Sequence, residues 1–191
     1  MISNYVMRVY PHYKDVNALL FEQIQKYACL DVKGCGMRTE FQTGLQDEGP
    51  GKIGGEPLSQ LFGWIEDQLP QLAWTLGKWS NSAFNQDPYP HRYAIADYWG
   101  MVYNRGGGSQ RHNHYPWPLS FTYYVNVPEG SSCLMLEGEK VGVSDGRLLV
   151  FPAHLFHWVE PTPVDGRTMI AGNISYNPDL SHLNIVSGPS A

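Results

Sequence analysis

Three histidines and one arginine carry the chemistry this sequence can do. His112 and His114 stand two residues apart in Gln110-Arg111-His112-Asn113-His114. Side chains two apart on a strand point to the same face, so both imidazoles can converge on one metal ion. His157 follows 45 residues after His112, inside Leu149-Val150-Phe151-Pro152-Ala153-His154-Leu155-Phe156-His157-Trp158-Val159. His154 competes for the place of third ligand. It is three residues from His157, so the two do not share a strand face, and His157 is preferred. Arg167 comes 10 residues after His157 and opens the run Arg167-Thr168-Met169-Ile170-Ala171-Gly172-Asn173-Ile174-Ser175. In that run Arg167, Met169, Ala171, Asn173 and Ser175 alternate onto one face.

A divalent iron with three protein ligands on one side keeps its other positions free for substrate and dioxygen. Two neutral imidazoles come from one strand as His-x-His, and the third must arrive from a distant strand. His112, His114 and His157 can make that arrangement. If the Arg167 face lines a barrel, its guanidinium needs an anionic partner. A dicarboxylate would supply one through a bidentate ion pair.

Elements must position these groups. Tyr5 to Tyr10 alternate as a strand. Asp15 has the character of an N-cap, and Val16, Leu19, Leu20, Ile24 and Tyr27 recur at helical spacing, which predicts an amphipathic helix over 16–28. Residues 33–57 are rich in Gly and Pro and read as a long loop. Leu58, Leu61, Phe62, Ile65 and Leu69 predict a second helix that Pro70 ends or bends, with 72–79 continuing it after a bend. Residues 81–91 read as loop. From Tyr93 onward short β-rich runs alternate with turn signals: Tyr93–Tyr103, Ser120–Val127, Cys133–Leu136, Arg147–Phe151 and Arg167–Ser175. Helices first and strands later give an α+β order with a β core, a sandwich or barrel. The tail after Pro178 reads as a surface segment.

The chain has 191 residues, 42% hydrophobic and 13% aromatic, with a formal charge of -5. That length favours one domain over 1–191, helical over about 1–90 and β over about 91–177. No Lys/Arg run points to a nucleic acid or a membrane surface. No signal peptide is expected, nor any apolar run of the roughly 18 residues a membrane helix needs. Cys29, Cys35 and Cys133 are odd in number, which fits free thiols in a reducing, cytoplasmic compartment; a Cys29–Cys35 bridge is the minor alternative.

Taken together, these motifs resemble the Fe(II)/2-oxoglutarate-dependent oxygenases, and in local wording a bacterial and phage branch of them. The matching residues are Trp99; Gln110, His112 and His114; Leu119, Ser120, Tyr123, Tyr124, Val125 and Pro128; Gly146, Leu148, Phe151, Pro152, His157, Val159 and Pro161; then Arg167 and Asn173. The likeness spans about residues 93–177. It implies a double-stranded β-helix (a cupin-like jelly roll) with flanking N-terminal helices. It also implies Fe(II) as cofactor, with His112 and His157 as ligands, and 2-oxoglutarate as cosubstrate. Arg167 would anchor the distal carboxylate, helped by Tyr124 or Tyr123, while Gln110 and Asn173 orient cosubstrate or substrate. The implied reaction hydroxylates an unknown small molecule or peptide with release of succinate and CO2, using no catalytic residue beyond the metal ligands. Strand edges could pair two copies into a homodimer.

The sequence departs from that pattern where it matters most. The superfamily has Asp or Glu as its second ligand, and His114 stands there. A three-histidine site carries one negative charge fewer, as in cupin-type thiol dioxygenases. Tyr115 separates His114 from Pro116, and Met101 and Thr122 also differ from the branch. Two other readings therefore stand beside the first: a three-histidine cupin-type metalloenzyme that does not use 2-oxoglutarate, and a non-catalytic jelly-roll binding domain. The 33–57 loop and the Gly106-Gly107-Gly108 turn are the expected covers of the site.

Overall fold

The computed structural model describes residues 4–32, 36–44, 51–80 and 93–176. The chain opens with strand β1 (Val6–Val9), helix α1 (Tyr13–Tyr27), the strands β2 (Leu30–Val32) and β3 (Gly36–Arg38), and helix α2 (Glu56–Ser80). Strands β4 (Tyr93–Tyr103), β5 (Ser109–His112), β6 (Leu119–Asn126) and β7 (Leu134–Leu136) follow. Then come β8 (Glu139–Val141), β9 (Arg147–Pro152), β10 (His157–Val159) and β11 (Arg167–Tyr176). The strands form a seven-stranded sheet in the order β1-β9-β6-β11-β4-β3-β2 and a four-stranded sheet in the order β5-β10-β7-β8. The strand pairings are antiparallel. The architecture is α+β, mainly β: a jelly roll with two helices ahead of it in the chain.

The helices cover the outer face of the large sheet. Val16, Leu20 and Ile24 of α1 and Leu58, Leu61, Ile65, Leu69 and Leu72 of α2 are buried with Phe121, Leu148, Val150, Ile170 and Ile174 of the sheet. Their spacing is the apolar stripe of an amphipathic helix. Alternate residues of the same strands face the other way: Leu149 and Phe151 pack with Leu134, Leu136, Val141 and Val159 of the small sheet. Arg167 through Ile174 of β11 are all buried, because this strand is covered on both faces. Gly100 lets α1 settle on the sheet, since a Cβ there would come within 2.9 Å of Ile24.

Several local expectations change. Helix α1 begins at Tyr13 with His12 as N-cap, and His12 makes no side-chain cap bond. Asp15 lies in the first turn instead, where its charge meets the positive end of the helix dipole. Helix α2 runs unbroken through Pro70. Proline removes the donor for the Glu66 carbonyl, but Glu66 and Asp67 are exposed, so water can serve that oxygen. The long 33–57 loop contains β3, whose Met37 and Arg38 pair with Val102 and Met101 of β4. The glycine turn is tied down rather than free: Gly106 N donates to Thr162 O at 2.8 Å, and Thr162 N donates to Gly107 O at 2.8 Å. Strands β2, β5, β8 and β10 are also additional to the five β-rich runs. The expectations for residues 81–91, for Cys35 and for the tail after Pro178 lie outside the described residues. Cys29 and Cys133 are free thiols. Among the described residues, no helix is long and apolar enough to cross a membrane.

Candidate metal site

The two sheets bring three imidazoles to one point. His112 ends β5 and His157 opens β10, and the two are register partners. His114 lies just past the end of β5 rather than inside the strand. Its backbone N donates to Ala153 O at 2.8 Å, which ties this segment to the chain leaving β9. Ring centroids are 4.3 Å apart for His112 and His157, 5.1 Å for His112 and His114, and 5.0 Å for His114 and His157. One ring nitrogen from each lies within 4.8 Å of the others, a grouping that could hold a metal ion. His154 is exposed and does not join them.

Hydrogen bonds settle which nitrogen each ring offers. Nδ1 of His112 lies 2.7 Å from Gln110 O, and Nδ1 of His157 lies 3.1 Å from Leu155 O. Nδ1 of His114 lies 2.6 Å from Asn173 Oδ1. Each of these oxygens can only accept, so each Nδ1 carries the proton and each Nε2 keeps its lone pair for a metal. Burial pushes the His114 pKa down to about 4, against the Asn173 hydrogen bond, and that of His157 down to about 3, helped by His112. Both rings are therefore neutral at pH 7.

Behind His114 stands a row of polar residues across three neighbouring strands. Asp97 of β4 is the register partner of Asn173 of β11, and Asn173 is the partner of Ser120 of β6. Asn173 Nδ2 donates to Asp97 Oδ1 at 2.7 Å, and Ser120 Oγ donates to Asn173 Oδ1 at 3.0 Å. A carboxylate only accepts, so Asp97 fixes the amide with its oxygen toward His114. Both ends of Asn173 are thus engaged with protein, and its effect on a ligand would run through His114. Burial raises the Asp97 pKa, partly offset by the Asn173 bond. The sequence reading missed Asp97; its one signal was a lone acid inside the apolar run of β4.

Arg167 is completely buried. Its guanidinium carbon lies 5.1 Å from the Tyr103 ring and 5.4 Å from the Tyr124 ring, and Nη1 lies 3.6 Å from the Met169 sulfur. Nε and Nη2 have no protein partner. The Tyr124 hydroxyl and Thr122 Oγ1 approach each other without an aligned hydrogen bond and are buried as well. A buried cation without a counter-charge is costly. This cluster of donors with no anionic partner fits the carboxylate end of a diacid such as 2-oxoglutarate. Tyr123 points to the opposite face, where its hydroxyl donates to Asn17 Oδ1 at 2.7 Å, so of the two tyrosines only Tyr124 is beside Arg167.

A cavity of about 730 Å³ joins the two features, lined by the three histidines, by Gln110 and by Thr122, Tyr103 and Met169 in front of Arg167. That size lies within the range of small-molecule sites. Its mouth also contains Arg38, Phe41 and Tyr115, which the sequence reading did not single out.

No protein-family model matches the chain, and no curated protein matches it in sequence. Solved structures do match in fold. A prolyl-4-hydroxylase from Pseudomonas putida aligns over 92% of this chain and 94% of its own, with a TM-score of 0.61 and 16% identity. The alpha-ketoglutarate-dependent epimerase SnoN of nogalamycin biosynthesis aligns over 100% of this chain and 87% of its own, with a TM-score of 0.61 and 12% identity. A Trichoplax adhaerens prolyl hydroxylase, solved with a hypoxia-inducible-factor peptide, aligns over 89% and 83%, with a TM-score of 0.57 and 15% identity. At these identities the likeness establishes the fold: this chain is built on the jelly roll that these structures share.

Proposed function

We propose that this protein is an Fe(II)- and 2-oxoglutarate-dependent oxygenase that hydroxylates a C–H bond, with release of succinate and CO2. The observation that carries the reading is a conjunction. Three imidazoles with fixed tautomers line one cavity, and a fully buried arginine whose Nε and Nη2 lack a protein partner lies beside its Tyr103, Thr122 and Met169 wall. His112, His114 and His157 hold the metal. Arg167 and Tyr124 take the distal carboxylate of 2-oxoglutarate, with Thr122 beside them. Gln110 lines the cavity, and its backbone oxygen orients His112. When bound, iron would activate dioxygen as the oxidant, with 2-oxoglutarate as the co-reductant that leaves as succinate and CO2. The protein's own work is to hold both against each other, keep His114 and His157 neutral and leave one side of the metal open.

The deciding experiment titrates anaerobic, Fe(II)-loaded protein with 2-oxoglutarate and watches for the weak visible metal-to-ligand charge-transfer band. The band should form, and should be lost in both His112→Ala and Arg167→Ala. One observation favours a second reading, a three-histidine metalloenzyme that does not use 2-oxoglutarate: the metal-facing trio contains no carboxylate. Iron binding without the band would select that reading. Absence of metal binding would leave a non-catalytic binding domain.

A further inference from the structure

A second cation without an ion-pair partner among the described residues lines the cavity. Arg38 ends β3 beside Met101 of β4. Its guanidinium carbon sits 3.8 Å from the centre of the Phe41 ring. Nε is buried without a hydrogen-bond partner, and among the described residues no carboxylate lies within ion-pairing distance of it. Partial burial without a counter-charge pulls its pKa below the usual arginine value.

An aromatic wall leads from this cation to the histidines. Phe41 meets Trp99 edge-on at 4.6 Å, and Trp99 lies 5.7 Å from His114. Phe41 is 55% exposed, a large apolar side chain left open beside a cation. The acid on this stretch of the cavity, Asp97, is already held by Asn173. An anion arriving at Arg38 relieves a cation that has no ion-pair partner among the described residues. Planar apolar surface arriving with it gains from stacking on Phe41 and Trp99.

We propose that the primary substrate is a small carboxylate with a planar apolar body. The carboxylate pairs with Arg38, the body lies along Phe41 and Trp99, and the far end faces the three imidazoles. This rests on the oxygenase reading for the word substrate, but the binding claim is testable by itself. It assigns the two arginines to two different carboxylates: Arg167 to the cosubstrate and Arg38 to the substrate.

The test uses full-length protein loaded with redox-inert Zn(II) and saturated with 2-oxoglutarate. The probes are 3-phenylpropionate, 4-phenylbutyrate and naphthalene-2-acetate, each beside its neutral amide, with affinities read by calorimetry. At least one carboxylate should bind tenfold or more tighter than its amide. Arg38→Gln should erase that preference while leaving amide affinity in place, and Phe41→Ala should weaken acid and amide alike. Arg38→Lys, which keeps the charge and guards against a folding artefact, should retain part of the preference. No preference for any acid in the wild type, or a preference that survives Arg38→Gln, overturns the assignment. Failure of 2-oxoglutarate to bind, with the aryl acids still preferring Arg38, would sink the oxygenase reading and leave the carboxylate site standing.

Discussion

Replacing Asp97 by Asn should weaken metal binding although Asp97 touches no metal ligand. In the folded protein Asp97 accepts from Asn173 at 2.7 Å, and Asn173 accepts from His114 at 2.6 Å. The carboxylate fixes the amide, the amide fixes the His114 tautomer, and the tautomer leaves Nε2 free. An Asn at position 97 can present either end of its own amide, so Asn173 can turn over and offer N–H groups to His114. That favours the tautomer with a proton on Nε2. The hydrogen bond at stake is charge-assisted, worth about 1.5–3 kcal/mol. Partners of metal-bound histidines are worth roughly 10–100-fold in affinity, which at about 1.4 kcal/mol per decade is the same span. Asp97→Asn should therefore lose about tenfold in Zn(II) or Co(II) affinity, and Asn173→Ala up to about a hundredfold. The assay is metal titration against a competing chelator, with folding checked by circular dichroism. The double variant should be no weaker than Asn173→Ala alone, because the two residues act in series. Unchanged affinity in Asp97→Asn, or simple additivity in the double variant, would refute the relay.

Three further outcomes follow from the same geometry. Arg167→Leu should abolish 2-oxoglutarate binding yet raise the stability of ligand-free protein by about 1–4 kcal/mol, since an unpaired buried charge is removed; a lower urea midpoint would mean the guanidinium is satisfied in the folded state. Tyr124→Phe should weaken 2-oxoglutarate about fivefold, the worth of one hydrogen bond. Tyr123→Phe should leave that affinity alone and destabilise the fold by about 1–3 kcal/mol by stripping Asn17 of a buried donor, a contrast that equilibrium unfolding and ligand titration read separately. The metal-free protein should lose stability as pH falls. His114 and His157 take up protons near 6.5 when unfolded but only at about 4 and about 3 when folded. The unfolded chain thus binds more protons between those limits, and the loss runs from about pH 6.5 downward, amounting to a few kcal/mol. An equal or higher urea midpoint at pH 5 than at pH 7.5 would contradict this.

The β half of the fold was readable because its strands carry two strong signals at once. The run from Arg167 to Ser175 alternates polar and small residues on one face with Thr168, Ile170 and Ile174 on the other, and turn residues bound it. Strands β2, β5, β8 and β10, additional to the β-rich runs, span three or four residues each, too short for periodicity to register. Strand β3 hides inside a glycine-rich stretch because it depends on pairing with β4 rather than on its own propensity. Pro70 does not end α2, because a helix tolerates it where the freed carbonyl faces water. At the site, His-x-His was legible as a spacing, although His114 is held by Ala153 and Asn173 rather than by strand geometry. Arg167 was legible from its apolar surroundings. Asp97 and Arg38 were not, because their meaning lies in which strands become neighbours.

The exchange of a carboxylate for His114 need not empty the site of negative charge. It moves the carboxylate outward along a hydrogen-bonded path. In a His/His/carboxylate site the anion touches the metal and neutralises half of a divalent charge directly. Here Asp97 sits two hydrogen bonds from His114 Nδ1, and a proton shared toward Asn173 makes the imidazole a stronger donor at Nε2. Such a site holds its metal with three neutral ligands and keeps a larger net positive charge at the open face. Anions are then drawn to that face more strongly, which suits a cavity lined by Arg38 and backed by the buried Arg167, each of which calls for a carboxylate. On this argument His114→Asp should tighten metal binding while weakening the affinity for 2-oxoglutarate; tighter binding of both would mean that the charge at the metal does not govern recruitment of the diacid.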